Sequence, residues 1–224
     1  MNFHVLTLFP EMIRQACGHS ILKRAIAAGL VRLNCVDIRD YAVNKHGQVD
    51  DAPYGGGAGM LMMAPPIYNA FKSISARCPR LVYLSPQGRL FNQKLAAEMA
   101  QEEDIILLCG HYEGVDQRVL DLLKPEEISL GDFILTGGEL AALLVIDAVA
   151  RLVPGVVGKG ASVNNESFSE SLQGRLEYPQ YTRPPVFEGL EVPPVLLSGH
   201  HGQIEAWRQL KSLEHTRSKR PELL

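Results

Sequence analysis

The sequence predicts an α/β protein with a mainly parallel sheet, followed by a small helical domain. Short apolar, β-rich runs alternate with segments of helical periodicity from residue 3 to residue 152. One of those runs, Ile105-Ile106-Leu107-Leu108-Cys109, is apolar at every position, as a parallel strand covered on both faces should be. Beyond residue 154 the periodicity lapses, and it resumes as a helix from Ile204.

Residues 3–9 read as the first strand, and Pro10 opens a helix, since proline is tolerated in the first helical turn. In residues 20–28, Ile21, Leu22, Ala25 and Ile26 share a helical face, and Gly29 suits the cap. Residues 31–38 form a second strand. Residues 39–63 resist periodic assignment and include Tyr54-Gly55-Gly56-Gly57-Ala58-Gly59-Met60, a loop in which backbone approaches closely. A helix is expected over 65–75. A strand over 80–85 is expected to stop at Ser85-Pro86-Gln87-Gly88, and a helix to follow over 92–103. The apolar strand 105–109 ends at Gly110. Residues 115–123 form a short helix and 128–135 a strand broken at Gly131-Asp132. Thr136-Gly137-Gly138-Glu139 then turns into helix 140–152. The predicted organisation is a catalytic domain over 1–153, a polar, mobile linker over 154–181 and a small helical domain over 182–224. The last helix, 204–213, and its flanks set Arg208, Lys211, Arg217, Lys219 and Arg220 against Glu205 and Glu214, so this end is locally basic.

The whole chain is not basic. Its 224 residues carry a formal net charge of -3, with 46% hydrophobic and 21% charged residues, which excludes a disordered chain. A nucleic-acid partner therefore depends on local basic patches. None of the 4 cysteines stands in a C-x-x-C pair. Cys17 falls in a helix and Cys35 and Cys109 in apolar runs, so buried reduced thiols and a cytoplasmic setting are expected. The N-terminus lacks a signal-peptide pattern. The longest apolar runs, 105–109 and 140–150, are too short for a membrane span, and the second contains Asp147.

Three features can carry chemistry. The glycine loop at 54–60 is either a structural turn or a phosphate cradle, but it has neither the Gly-Lys-Ser/Thr of a P-loop nor the strand context of a dinucleotide fingerprint. The loops at 85–88, 110–114 and 129–139 follow or interrupt strands. Ligands gather at the carboxyl ends of strands in open α/β sheets, so these loops are either one concave pocket or three ordinary turns. The third feature is Asn164-Asn165-Glu166-Ser167-Phe168, where a carboxylate lies in a polar linker. Asp147 and Arg151, at i and i+4, suit a surface ion pair. The adjacent His200 and His201 have no Cys or carboxylate at ligand spacing, and no metal ligands are assigned.

Taken in order, the blocks Phe9-Pro10-Glu11-Met12, Val49-Asp50-Asp51, Tyr54-Gly55-Gly56-Gly57, Gly59-Met60-Leu61-Met62-Met63, Leu84-Ser85-Pro86-Gln87-Gly88, Tyr112-Glu113-Gly114-Val115-Asp116, Gly131-Asp132, Gly137-Gly138-Glu139-Leu140 and Val192-Pro193-Pro194-Val195-Leu196-Leu197-Ser198-Gly199 closely resemble the bacterial tRNA (guanine-N1)-methyltransferase family. The match runs from the first strand to Pro221-Glu222-Leu223-Leu224. The resemblance implies the SPOUT class, with a deep trefoil knot toward the C-terminal half of the catalytic domain, and a homodimer whose active sites are shared between subunits. It implies S-adenosylmethionine bound by Tyr83, Leu84, Ser85, Pro86 and Gly88, by Gly110 and Tyr112, by Leu130, Gly131, Asp132, Phe133, Ile134 and Leu135, and by Gly137 and Gly138. Glu113 matches a carboxylate near the sulfonium, Arg151 an arginine that holds the guanine, and Glu166 the general base. Contacts to tRNA fall to Asp50, Tyr54, Gly59, Arg183, Arg208 and Lys211. The implied reaction is methylation of N1 of guanosine 37 in the anticodon loop, after guanosine 36, which maintains the reading frame. A magnesium requirement also comes with the family, without a site for it in this sequence.

Three positions depart from the family pattern. Glu166 replaces the commoner aspartate, His111 stands where arginine is common, and the chain stops at Leu224 without a further helical tail, which is expected to weaken the grip on tRNA. Rival readings are a knotted ribose 2′-O-methyltransferase, a non-catalytic RNA-binding assembly factor and a nucleotide-phosphate enzyme using the glycine loop. The linker with the C-terminal domain, the net acidity with 7% aromatics, and the missing lysine respectively argue against them.

Overall fold

Alternating burial along the strands sets the architecture. In β6 (Asp104–Cys109), Ile105, Leu107 and Cys109 join one hydrophobic cluster while Ile106 and Leu108 join another. A strand side-chain period of two directs neighbours to opposite faces, so this strand is covered on both sides. β1 (Asn2–Thr7), β2 (Arg32–Asp37), β5 (Arg80–Leu90) and β7 (Glu126–Ser129) complete a five-stranded sheet in the order β2-β1-β6-β5-β7. Every pairing in it is parallel. One face is packed by α1 (Pro10–Cys17), α2 (Ser20–Ala27), α4 (Gln93–Met99) and α6 (Glu139–Ala150), the other by α3 (Ala64–Lys72) and α5 (Gln117–Leu123). A short antiparallel pair, β3 (Asp50–Asp51) with β4 (Leu61–Met62), brackets the glycine loop.

The computed structural model describes residues 1–158 and 165–224, which fall into two units, Met1–Gly158 and Lys159–Leu224. The motif beginning at Asn164 and the expected linker over 154–181 each lie partly outside the described residues. The second unit contains the hairpin β8 (Val186–Phe187) and β9 (Leu190–Glu191), then α7 (Pro194–Leu197) and α8 (His201–Lys219). The segment before the hairpin is fastened to α8. Leu176 N–H donates to Thr216 Oγ1 at 3.0 Å, Ser212 Oγ donates to the Leu176 carbonyl at 2.6 Å, and Arg175 Nη2 donates to Gln209 Oε1 at 2.9 Å. Among the described residues, no helix is long and apolar enough to cross a membrane.

Several elements differ from their sequence-based expectation. The strand expected to stop at Ser85 continues to Leu90. Ile128 of β7 pairs with Leu84 and again with Arg89, so residues 85–88 leave the sheet and return to it. The strand expected over 128–135 is only β7. Ser129 Oγ accepts from Gly131 N–H, and Gly131 adopts φ +141°, which turns the chain out of the sheet. The helix expected over 92–103 is α4, with Asn92 Oδ1 accepting from Leu95 N–H at its start. The last helix is longer at both ends than residues 204–213.

Candidate functional site

Three strand ends meet at the carboxyl edge of the sheet. The excursion at 85–88 lies against β7: a Cβ on Gly88 would sit 2.3 Å from the Glu127 carbonyl carbon. After β6, Gly110 accepts a hydrogen bond through its carbonyl from Gly138 N–H at 2.8 Å, and His111 bridges to Gly137. A Cβ on Gly138 would come within 2.7 Å of Cys109 Cα. Glycine is needed at both positions because the obstacle is backbone, which cannot rotate away.

These loops enclose a cleft of about 300 Å³, at the lower end of the range for small-molecule sites. Leu84, Leu130, Leu135 and Ala141 contribute apolar wall, while Ser85, Gln87, Ser129 and Thr136 contribute polar groups. Burial pushes the Tyr83 phenol above its ordinary range, with Glu127 acting in the same direction, so it faces Gly110 as a neutral hydroxyl. The Tyr112 phenol is raised by burial first and then by the neighbouring Asp50 carboxylate. Phe133 and Ile134 remain exposed on the cleft's outer loop.

The glycine loop is tied to this cleft. Glu113 N–H donates to the Met60 carbonyl at 2.9 Å and Met62 N–H to the Gly114 carbonyl at 3.0 Å. Gly59 packs so close to Glu113 that a Cβ would lie 2.5 Å from Glu113 Cγ. His111 stacks edge-on between Phe9 and Tyr112, with ring centroids at 5.2 and 4.8 Å. Its Nδ1 is buried and has no hydrogen-bond partner among the described residues.

The family model described as tRNA (Guanine-1)-methyltransferase TrmD matches residues 1–224. The chain belongs to this family. A tRNA (guanine-N(1)-)-methyltransferase of Clostridioides difficile (strain 630) is 50% identical over 227 residues, covering 100% of this chain and 97% of the relative. Similarly named proteins of Exiguobacterium sibiricum and Carboxydothermus hydrogenoformans are 55% and 54% identical over 224 residues, covering all of this chain and 91% and 87% of the relatives.

Within this tRNA (guanine-1)-methyltransferase family member, most residues expected to hold a cofactor stand on the cleft wall. They are Tyr83, Leu84, Ser85, Pro86, Gly110, Tyr112, Leu130, Gly131, Phe133, Ile134, Leu135, Gly137 and Gly138, with Glu113 beside them. Gly88 and Asp132 are not on that wall. Arg151 follows the last turn of α6, where its N–H donates to the Asp147 carbonyl at 3.2 Å. Tyr54 is almost fully exposed at the glycine loop. Glu166, Arg183, Arg208 and Lys211 belong to the second unit. There the Glu166 carbonyl accepts from Ser169 N–H at 3.1 Å, and Lys211 pairs with Glu214 at 2.6 Å.

The cleft wall also includes Gln87, His111, Gly114, Ser129 and Thr136, which lie in the loops expected to form one pocket but not among the expected cofactor residues, and Ile128 and Ala141, which lie outside those loops. Ile128 and Ala141, a strand residue and a helix residue at its edges, carried no such loop signal. Among the described residues, no three His, Cys, Asp or Glu side chains gather as metal ligands.

Proposed function

We propose that this chain transfers a methyl group from S-adenosylmethionine to N1 of guanosine 37 of tRNA, where guanosine 36 precedes it. The observation that carries the reading is the cleft built from three glycine-rich strand-end loops, in a chain that matches the methyltransferase family from end to end. The residues fit the cofactor. Glycines whose Cβ would fill the space, exposed backbone and a mixed apolar and polar wall suit a nucleoside joined to an amino acid. Leu84, Leu130, Leu135 and Ala141 would flank the adenine, and the backbone of 110–114 and 131–138 would read its polar edges. Glu113 would face the positive sulfur. When bound, S-adenosylmethionine supplies an electrophilic methyl group.

The chain's own residues must prepare the nucleophile. Guanine N1 carries a proton at neutral pH. Glu166 accepts that proton, a role typically contributing ~10²–10⁴-fold. Arg151 stabilises the negative charge that develops on guanine O6. Asp50, Tyr54 and Gly59 position the nucleotide, and Arg183, Arg208 and Lys211 approach tRNA phosphates, which makes affinity salt-dependent. The close threading at Gly88 and Gly138 suits the family's knot. Leu140 and Leu144, exposed at i and i+4 on α6, suit a second copy as partner. A tRNA substrate places the work in the cytoplasm.

The test incubates the protein with labelled S-adenosylmethionine and an unmodified leucine tRNA transcript bearing G36 and G37, alongside a transcript with A37. Label recovered as 1-methylguanosine from the first alone is the expected result. Label in neither, from protein that binds the cofactor, would sink the reading.

A further inference from the structure

The second unit carries its own cavity, of about 190 Å³. Ile204, Trp207 and Arg208 present one face of α8 to it, at i, i+3 and i+4. Tyr178 and Tyr181 close the other side, on the segment that Thr216, Ser212 and Gln209 fasten to the same helix. The cavity is therefore preformed within this unit.

Two features of it point to a ligand. The first is aromatic. Trp207, the single tryptophan of the chain, and Tyr181 have ring centroids 6.4 Å apart at 56°. The rings are tilted to each other rather than stacked. The second feature is cationic. The Arg208 guanidinium lies over the Tyr178 ring, 5.0 Å from its centroid. Its Nε is buried and has no hydrogen-bond partner among the described residues. Glu205 Oε2 is 3.8 Å from Nη1, beyond hydrogen-bond length, and the other oxygen of that carboxylate, Oε1, accepts from Gln209 Nε2 at 3.0 Å. A guanidinium offers five donors in a fixed fork, and a buried donor left unmet is costly. The fork matches phosphate oxygens.

We propose that this cavity holds one unstacked nucleotide of the tRNA substrate, its base on Trp207 and Tyr181 and a phosphate oxygen on Arg208 in place of Glu205. The proposal rests on the tRNA-methyltransferase reading and deepens it. RNA is commonly recognised through bases splayed from the helix and stacked on aromatic rings or guanidinium planes. The cavity is smaller than the 300–1,000 Å³ usual for whole small-molecule ligands, which favours a single base on a chain held elsewhere over a free nucleotide.

Trp207 provides the readout. The full-length protein is titrated with the G36-G37 leucine tRNA transcript while tryptophan emission is followed, corrected for absorption by RNA. Saturable quenching is expected over the concentrations that saturate methylation. Arg208→Ala keeps the fluorophore and should abolish most of the quenching. Trp207→Ala should raise the transcript's KM roughly tenfold, with the change falling on KM rather than kcat, and Trp207→Phe should restore most of it. Unchanged emission during active methylation overturns this proposal and leaves the enzymatic reading standing, as does a wild-type KM in Trp207→Ala. Wild-type protein that binds cofactor yet methylates no tRNA overturns the enzymatic reading, and this proposal with it.

Discussion

Thr7 donates its hydroxyl hydrogen to Glu139 Oε1 at 2.7 Å, joining the end of β1 to the first residue of α6 across 132 positions, with both side chains buried. Thr7 Oγ1 also accepts from Phe9 N–H at 2.9 Å. One hydroxyl thus holds the strand end, the following turn and the helix start that carries Gly137 and Gly138. Thr7→Val removes both bonds at nearly constant volume and should cost about 1–3 kcal/mol in denaturant unfolding. Thr7→Ser keeps both and should cost less. A larger loss in Thr7→Ser than in Thr7→Val would show that the methyl group, not the hydroxyl, does the holding.

The close approaches at Gly88 and Gly138 predict a graded glycine series. Gly88→Ala and Gly138→Ala would place Cβ 2.3 and 2.7 Å from backbone atoms, so strands or loops must separate. A loss of about 1–3 kcal/mol or more is expected, with cofactor affinity falling together with stability. Gly202→Ala, inside α8 with nothing within 4 Å of the added Cβ, should be neutral or stabilising by up to about 1 kcal/mol. Thermal or denaturant unfolding of the three variants, with cofactor titration, checks the order.

Much of the sheet was legible because its strands are short apolar runs between helices of clear period. The errors occur where tertiary pairing overrode local signals. Pro86 and Gly88 mark a turn, but β7 pairs on both sides of the excursion, and no local rule reveals a strand that leaves and returns. Phe133-Ile134-Leu135 has strand composition, yet Gly131 turns it out of the sheet and it lines the cleft instead. In α8, Ser212 and Thr216 are fully buried because they bond to the backbone around Leu176, and polar residue types conceal such burial. The cleft was legible through its glycines. Ile128 and Ala141 were not, since each sits in a strand or helix, where an apolar residue reads as core. The cavity beside Trp207 depends on a segment folding back on a helix some thirty positions later, which periodicity does not report.

The thiols should separate by burial. Burial pushes Cys17 and Cys35 up to about 11, with Asp147 adding at Cys17, and it holds Cys109 well above the ordinary thiol range. Thiolate is the reactive form, so an aromatic disulfide reagent at pH 8 should modify exposed Cys78 rapidly and the other three only on unfolding. The same shifts have a consequence for stability. The folded state holds these protons more tightly than the unfolded chain, so stability is fully present below about pH 9 and falls as pH rises toward about 11. Replacing Cys17 or Cys35 with alanine should flatten that fall, whatever its cost at neutral pH. An unchanged slope would assign the alkaline loss to other groups.

Glu166→Gln isolates the proposed proton acceptor. The amide keeps nearly the same size and hydrogen-bonding reach but cannot take the guanine N1 proton. Turnover should drop by at least about a hundredfold, while cofactor affinity stays unchanged. Glu166→Asp shortens the side chain by one methylene and keeps the carboxylate, so it should retain far more activity than the amide. That contrast separates proton transfer from loop positioning, because a purely positional role would tolerate the isosteric amide better than the shorter acid. Single-turnover methylation of the G37 transcript reads the chemical step directly. If Glu166→Gln turns over near the wild-type rate there, the N1 proton leaves by another route and Glu166 has no catalytic part.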